Sequence, residues 1–300
     1  MTRSPLLGRG LRACFVVLAF VAPGEAVNVG APSTPALRLP PRPAGAIGGA
    51  EFARRTTGLS SADRQRAALT ELERGNVPEF LRHLKPVELR ERRPGARSIR
   101  ATVWVVPDYL AVGSDDDFLY IPLTYYSATA IASRLDCVLP TARIVDAVYD
   151  QSAYHLPPSP LPAGPLMRSN LYLSRHQRRI DEQRAGLPLG ELISGHKKDV
   201  VLGNRLHRHP ARIAIYGWHR GRRDPIQPLS TVHGATYDDY SHGVRLVSDT
   251  VIVDGRPRSI YEALQDARLA SVLSREGVTR YPWMLMHPRD ATQGSVREAP

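Results

Sequence analysis

The sequence predicts an α+β fold, a single domain in which antiparallel sheets carry helices packed on one side. Segments rich in β-branched residues come in two runs, one within residues 101–121 and one within residues 200–253. Segments with helical spacing lie between and after these runs, and such segregation favours α+β over a doubly wound parallel sheet. A chain of 300 residues that is 42% hydrophobic and 23% charged can bury a sizeable core, which excludes a wholly disordered protein.

The first 26 residues are predicted to be a secretory signal peptide. Arg3, Arg9 and Arg12 precede a short apolar run, and Gly24-Glu25-Ala26 provides a cleavage site of small residues. The apolar run is only about ten residues, shorter than a membrane span requires. We therefore expect a secreted or periplasmic, cell-envelope protein with no membrane contact after cleavage, and an uncleaved anchor is the alternative.

The remaining chain divides by composition into three parts. Residues 27–60 are rich in Pro, Ala and Gly and show no period that could bury a face, which predicts a disordered leader. Residues 61–290 carry the periodic segments of the α+β domain. Residues 291–300 are predicted to be a flexible tail.

Helices are predicted where apolar residues recur every three or four positions. The first one starts with a capping signal, Ser61-Ala62-Asp63, and ends before Gly75. A shorter segment over residues 77–84 has Pro78 in its first turn. The longer predicted helices cover residues 61–74, 127–135, 141–151, 169–185 and 260–273.

Strands are predicted where short β-branched and apolar runs lie between turn residues. They cover residues 102–106, 109–112, 118–121, 200–202, 213–216, 244–247 and 251–253. The first three are expected to form an antiparallel meander with an acidic turn at residues 115–117. The last two are expected to form a hairpin around Ser248 and Asp249.

The chain is strongly basic, with a formal net charge of +11. Arginine supplies nearly all of it, because the only lysines are Lys85, Lys197 and Lys198. A basic surface attracts polyanions, so we expect an anionic cell-wall or polysaccharide partner, although a solvated basic surface is the simpler explanation. Nucleic acid is not expected, because no zinc-finger, zipper or RNP-like pattern accompanies the charge. The oligomeric state stays open.

Two segments combine histidine with other polar residues. In residues 194–199, a histidine and an aspartate flank two of the three lysines, and a lysine offers a compact charge with a tunable pKa. In residues 233–243, histidines, tyrosines and aspartates precede an apolar strand, as in a functional loop on a rigid scaffold. These segments supply the predicted substrate-binding residues Lys197, Lys198, His233 and Tyr240. Two more are predicted between the segments: Trp218, whose ring could stack on a sugar or peptide, and its neighbour His219.

Cys137 is the one cysteine left after the predicted cleavage, just ahead of a predicted helix whose dipole would lower its pKa. Later in the chain, His242 stands at the start of a predicted strand. A cysteine near a helix start followed by such a histidine resembles the papain-like cell-wall peptidases of the NlpC type. The resemblance implies a secreted hydrolase that cuts amide bonds in a cell-wall-like polymer and needs no cofactor. Cys137 would be the nucleophile and His242 the base, Asp239 or Asp254 would orient the imidazole, and His196 would bind a carboxylate or the oxyanion.

Two other mechanisms and one non-enzymatic function stay open. A zinc hydrolase needs three protein ligands and an open position for water, and His196, Asp199, His219 and His242 are the candidate ligands. The same histidines and aspartates could instead perform acid–base catalysis without a metal. The chain could also be a secreted module that binds an anionic glycan. Neither a G-x-S-x-G elbow nor a phosphate-binding glycine loop occurs.

Overall fold

The computed structural model describes residues 35–288, so the predicted signal peptide and C-terminal tail lie outside the described residues. The strands are β1 (Lys85–Arg93), β2 (Ala96–Val105), β3 (Ala111–Gly113), β4 (Phe118–Tyr120), β5 (Cys137–Val138), β6 (Tyr154–His155), β7 (Ile193–Ser194), β8 (Lys198–Val200), β9 (Ile215–Gly221), β10 (Asp224–Ser230), β11 (His242–Gly243), β12 (Val247–Val253) and β13 (Arg256–Ser259). The helices are α1 (Gly49–Arg55), α2 (Ser61–Glu73), α3 (Tyr125–Arg134), α4 (Ala142–Gln151), α5 (Asn170–Arg184), α6 (Arg205–Arg208), α7 (Ile260–Gln265), α8 (Ala270–Leu273) and α9 (Pro282–Met286). These elements confirm the α+β class. None of the described helices is both long and apolar enough to cross a bilayer.

The longer helices begin at side-chain caps, although the cap of α2 is Ser60 and not the predicted Ser61. Ser60, Thr124, Thr141 and Ser169 each accept a hydrogen bond from a backbone amide in the first turn of α2, α3, α4 and α5. Such caps satisfy amides that have no partner within the helix. The predicted helix over residues 260–273 is wrong as one element. It divides into α7 and α8 because the Asp266 side chain accepts bonds from the next backbone amides and makes a turn.

The first sheet has the order β1-β2-β12-β13, and β5 also pairs with β12. The predicted meander is wrong: β2 pairs with β1 and β12, whereas β3 pairs only with β4. The sequence prediction missed β1 because charged residues dominate it. Its buried residues are Val87 and Leu89, and Glu88 between them is exposed, so the strand alternates in the way that a half-buried strand requires.

The predicted hairpin around Ser248 and Asp249 is also wrong. These residues lie within the continuous strand β12, where Ser248 pairs with Cys137 of β5. The turn comes later, at Asp254 and Gly255, which have φ angles of 47° and 82°. It joins β12 to β13 as an antiparallel pair.

The second sheet has the order β10-β9-β8-β11 and positions the candidate site. Strand β9 is antiparallel to both of its neighbours, β8 and β10. Strand β11 is parallel to β8, with His242 opposite Lys198 and Gly243 opposite Asp199. The two polar segments that the sequence singles out therefore lie side by side.

Part of the predicted leader belongs to the folded domain. Leu37 and Phe52 are buried in the main core. The first turn of α1 binds Asp117, whose backbone and side-chain oxygens accept from the amides of Gly49 and Ala50 at 3.0 and 2.9 Å. The prediction of a disordered leader is therefore wrong from residue 35 onwards, and residues 27–34 lie outside the described residues. Composition could not show this, because the partner of α1 is a turn about 65 residues away.

Candidate functional site

The parallel pairing of β8 with β11 creates a site of polar side chains between distant segments. The Lys198 amide donates to the Ser241 carbonyl at 2.8 Å, which places the lysine beside His242. We call this group the β8–β11 site. Its members are Lys198, Trp218, His233, Tyr237, Asp239 and His242.

His242 is fully buried at the centre of the β8–β11 site. Neither ring nitrogen has a hydrogen-bond partner among the described residues. Burial lowers the pKa of His242, and the carboxylate of Asp239 only partly opposes this. The imidazole is therefore neutral at pH 7 and free to accept a proton.

Asp239 is the carboxylate next to this imidazole, with Oδ2 at 3.8 Å from Nε2 of His242. Its Oδ1 accepts from the amide and the hydroxyl of Ser241, at 2.8 and 2.5 Å, and its Oδ2 accepts from the Tyr237 hydroxyl at 3.1 Å. Burial would raise the pKa of Asp239, but His242, Ser241 and Lys198 lower it overall, so the carboxylate stays ionised. Because the Ser241 hydroxyl donates to Asp239, it is not activated by the histidine as a serine nucleophile would be.

Lys198 and Trp218 form a second side of the site. The Lys198 Nζ lies 4.9 Å from the centroid of the Trp218 ring, a cation–π distance. The backbone of Trp218 has a φ of 56°, a strained conformation for an aromatic residue, and its amide donates to the Lys197 carbonyl at 3.0 Å. Burial lowers the pKa of Lys198, and Asp239 raises it in part.

His233 and Tyr237 cover the outer side of the site. Both are half-buried, and their rings stack at 4.0 Å with an angle of 10°. The Tyr237 ring also meets the edge of the His242 ring at 5.7 Å.

His196, Lys197 and Tyr240 have polar partners of their own next to the β8–β11 site. Lys197 is buried and donates to the Tyr240 carbonyl at 2.7 Å. Burial lowers the pKa of Lys197 to about 7. His196 lies 3.2 Å from Asp108, which also pairs with Arg184. These three predicted site residues thus make no direct contact with His242.

The predicted zinc ligands do not come together. Asp199 accepts from the Tyr109 hydroxyl at 2.9 Å, and burial raises its pKa to about 6. His219 lies 3.0 Å from Asp146 and stacks on Tyr149. Among residues 35–288, no three His, Cys, Asp or Glu side chains are arranged to hold a metal ion. The zinc prediction therefore has no geometric basis in the part of the chain that the structure describes.

Cys137 and Asp254 are also remote from the site. The Cys137 thiol is buried in β5 and donates to the Leu135 carbonyl, and burial raises its pKa far above the usual value. A strand, and not a helix start, holds it, so the predicted activation by a helix dipole is wrong. Asp254 is exposed in the β12–β13 turn, where it accepts from the Arg100 amide. Neither residue contacts His242.

Several buried polar residues escaped the sequence prediction. Arg245 is fully buried and donates to the carbonyls of Val106 and Ile193 at 2.8 and 2.6 Å. The indication in the sequence that Arg245 is buried was its position inside an apolar run. His176 is fully buried with neither ring nitrogen bonded to a described residue, and in sequence it is one polar residue in a polar helix.

Comparison with known proteins gives no family for this chain. No family model, curated protein or solved structure matches it. Its chemistry is therefore to be read from the β8–β11 site itself.

Proposed function

We propose that this protein is a metal-free hydrolase that cleaves amide bonds in an anionic, cell-wall-like polymer outside the cytoplasm. The observation that carries the proposal is His242: a buried, neutral imidazole without a partner for either nitrogen in the described residues, next to an ionised carboxylate. Buried polar atoms rarely lack partners, and those that do point to a bound water or substrate. The predicted export signal and the net charge of +11 support an anionic polymer of the cell envelope as substrate.

The residues of the site have complementary roles in this reaction. His242 takes a proton from a water molecule as that water attacks the amide carbon. Asp239 stabilises the imidazolium that results, and Tyr237 and Ser241 hold Asp239 in place. The ammonium of Lys198 stabilises the negative charge on the carbonyl oxygen. The imidazolium then returns its proton to the leaving nitrogen, which completes the hydrolysis.

The test is release of soluble fragments from purified peptidoglycan sacculi by the wild type and by His242→Gln. Glutamine keeps much of the buried volume but cannot serve as the base, so we expect kcat to fall by roughly 10²- to 10⁴-fold. Circular dichroism should show that the variant remains folded. Cys137→Ala and added chelator should leave the rate unchanged.

Each alternative mechanism predicts a different effect of these variants and of the chelator on the release of fragments. Loss of release in Cys137→Ala would replace the imidazole mechanism with the thiol mechanism, in which His242 serves as the base for Cys137. Retention of release in His242→Gln would exclude both mechanisms. Loss on chelation would point to a metal. No release by the wild type would remove the sacculus as substrate, and the amide-hydrolase proposal would then fail.

A further inference from the structure

A groove beside the β8–β11 site is lined by arginines. It has a volume of about 710 Å³, within the range of ligand-binding pockets. Every charged side chain that lines it is an arginine: Arg54, Arg64, Arg168 and Arg178. We call it the arginine cavity.

Two of these arginines are held in place by a buried carboxylate. Asp238 is fully buried, and its two oxygens accept from Arg64 at 2.8 Å and from Arg168 at 3.1 Å. One carboxylate thus orients two guanidinium groups, which leaves an excess of positive charge. Arg64 is only 8% exposed, and its Nε has no acceptor among the described residues. The rest of the Arg64 guanidinium is fixed by hydrogen bonds to Asp238, the Arg168 carbonyl and Asn170, so its positive charge is held at the wall of the cavity.

Helix α5 adds to the positive potential of the arginine cavity. Its first residues, Asn170 and Leu171, line the cavity, and its first amides have no acceptor within the helix. The N-terminus of a helix favours negative charge. Arg178 lies two turns along the same face and makes no ion pair with a described residue, so its charge is available to a ligand.

Arg168 connects the arginine cavity to the reaction site. Its guanidinium carbon lies 5.3 Å from the centroid of the Tyr237 ring, and the Tyr237 hydroxyl donates to Asp239. From these contacts we propose that the arginine cavity binds an oxyanion group on the polymer that His242 hydrolyses. This inference rests on the proposed function for the polymer, but the anion site itself does not.

The first experiment measures anion binding without turnover. Inorganic phosphate and, separately, acetate are titrated into the full-length protein by calorimetry at constant ionic strength. We expect saturable binding that Arg178→Gln weakens by roughly five- to tenfold. Arg175→Gln is the matched control, because Arg175 is exposed on the same helix but does not line the cavity. Tighter binding of phosphate would indicate a phosphate-bearing unit, and tighter binding of acetate a carboxylate-bearing one.

The second experiment separates this site from the hydrolase. With sacculi as substrate, Arg178→Gln should raise KM and leave kcat near the wild-type value. If the protein cleaves nothing but binds phosphate in the expected pattern, the arginine cavity stands and the proposed reaction fails. If neither anion binds saturably, or if both arginine variants weaken binding equally, the cavity is not an anion site, whatever the result with sacculi.

Discussion

Adjacent lysines in this protein have different environments and different roles. Lys198 is half-buried and faces Trp218 and Asp239, whereas Lys197 is buried and bonds to the Tyr240 carbonyl. Lys197 directly precedes β8, and successive side chains of an extended chain point in opposite directions, which explains the contrast. A pair that looks like one motif in sequence therefore contributes one lysine to the candidate site and the other to a bond with the Tyr240 carbonyl.

Lys197 makes a testable contribution to the pH dependence of stability. Its pKa is about 7 in the folded protein and near 10.5 when exposed. Between these values the unfolded chain binds a proton that the folded protein does not, so the free energy of unfolding rises with pH. We expect wild type to gain stability relative to Lys197→Met from pH 7 to pH 10, by up to about 1.4 kcal/mol per pH unit.

Urea unfolding of both proteins at several pH values measures this difference. Other titrating groups are common to the two proteins, so their contributions largely cancel in the difference between the two free energies of unfolding. A difference that stays flat, or that falls as pH rises, would show that Lys197 is not held in the low-pKa state.

At the scale of elements, the short strand β11 determines the geometry of the site. Its two residues pair with β8, and Gly243 packs against the ring of Tyr109. A Cβ at Gly243 would lie 2.5 Å from that ring. The ring cannot easily move, because its hydroxyl donates to Asp199 and Arg245 covers its face at 4.5 Å.

Gly243→Ala should therefore destabilise the protein by roughly 1–3 kcal/mol, the usual cost of overpacking. It should also reduce turnover, because β11 carries His242. Gly221→Ala is the control: a Cβ there meets nothing within 4 Å, and alanine suits a strand better than glycine. Thermal unfolding distinguishes the two variants, and equal stability would contradict the close contact described at Gly243.

At the scale of the whole molecule, the two sheets are connected through the chain between β11 and β12. The carbonyls of Val244 and Leu246 accept from the amides of Leu110 and Val106 at 2.9 and 3.0 Å. Arg245, between them, bonds to Val106 and Ile193 carbonyls. Loss of either sheet would leave these buried groups without partners, so the sheets are expected to unfold together.

Tryptophan fluorescence can test this coupling, because Trp104 lies in the first sheet and Trp218 in the second. Two variants, each keeping one of these residues and carrying phenylalanine at the other tryptophans, report on one sheet each. Within each variant, the fluorescence and far-UV circular dichroism midpoints in urea should coincide. A fluorescence midpoint that departs from the circular dichroism midpoint in either variant would show that the sheets unfold separately.

Local signals in the sequence predicted much of the fold. The apolar spacing of Ile144, Val145 and Val148 was sufficient to predict α4, because this pattern lies within a few residues. Strand pairing was predicted poorly. One of the two partners of β2 is β12, about 150 residues later, and no local pattern specifies such a pairing.

For the candidate site, too, some features could be predicted from the sequence and others could not. The sequence by itself determined the α+β class, the capped helices and the two polar segments that supply the site, since residue type and spacing decide these features. Only the tertiary structure decided that Lys198, Asp239 and His242 meet, that Cys137 is buried in a strand, and that His219 pairs with Asp146. The physical reason is that the proximity of two side chains, their burial and their pKa values depend on which distant strands pair and on which face of the sheet each side chain lies.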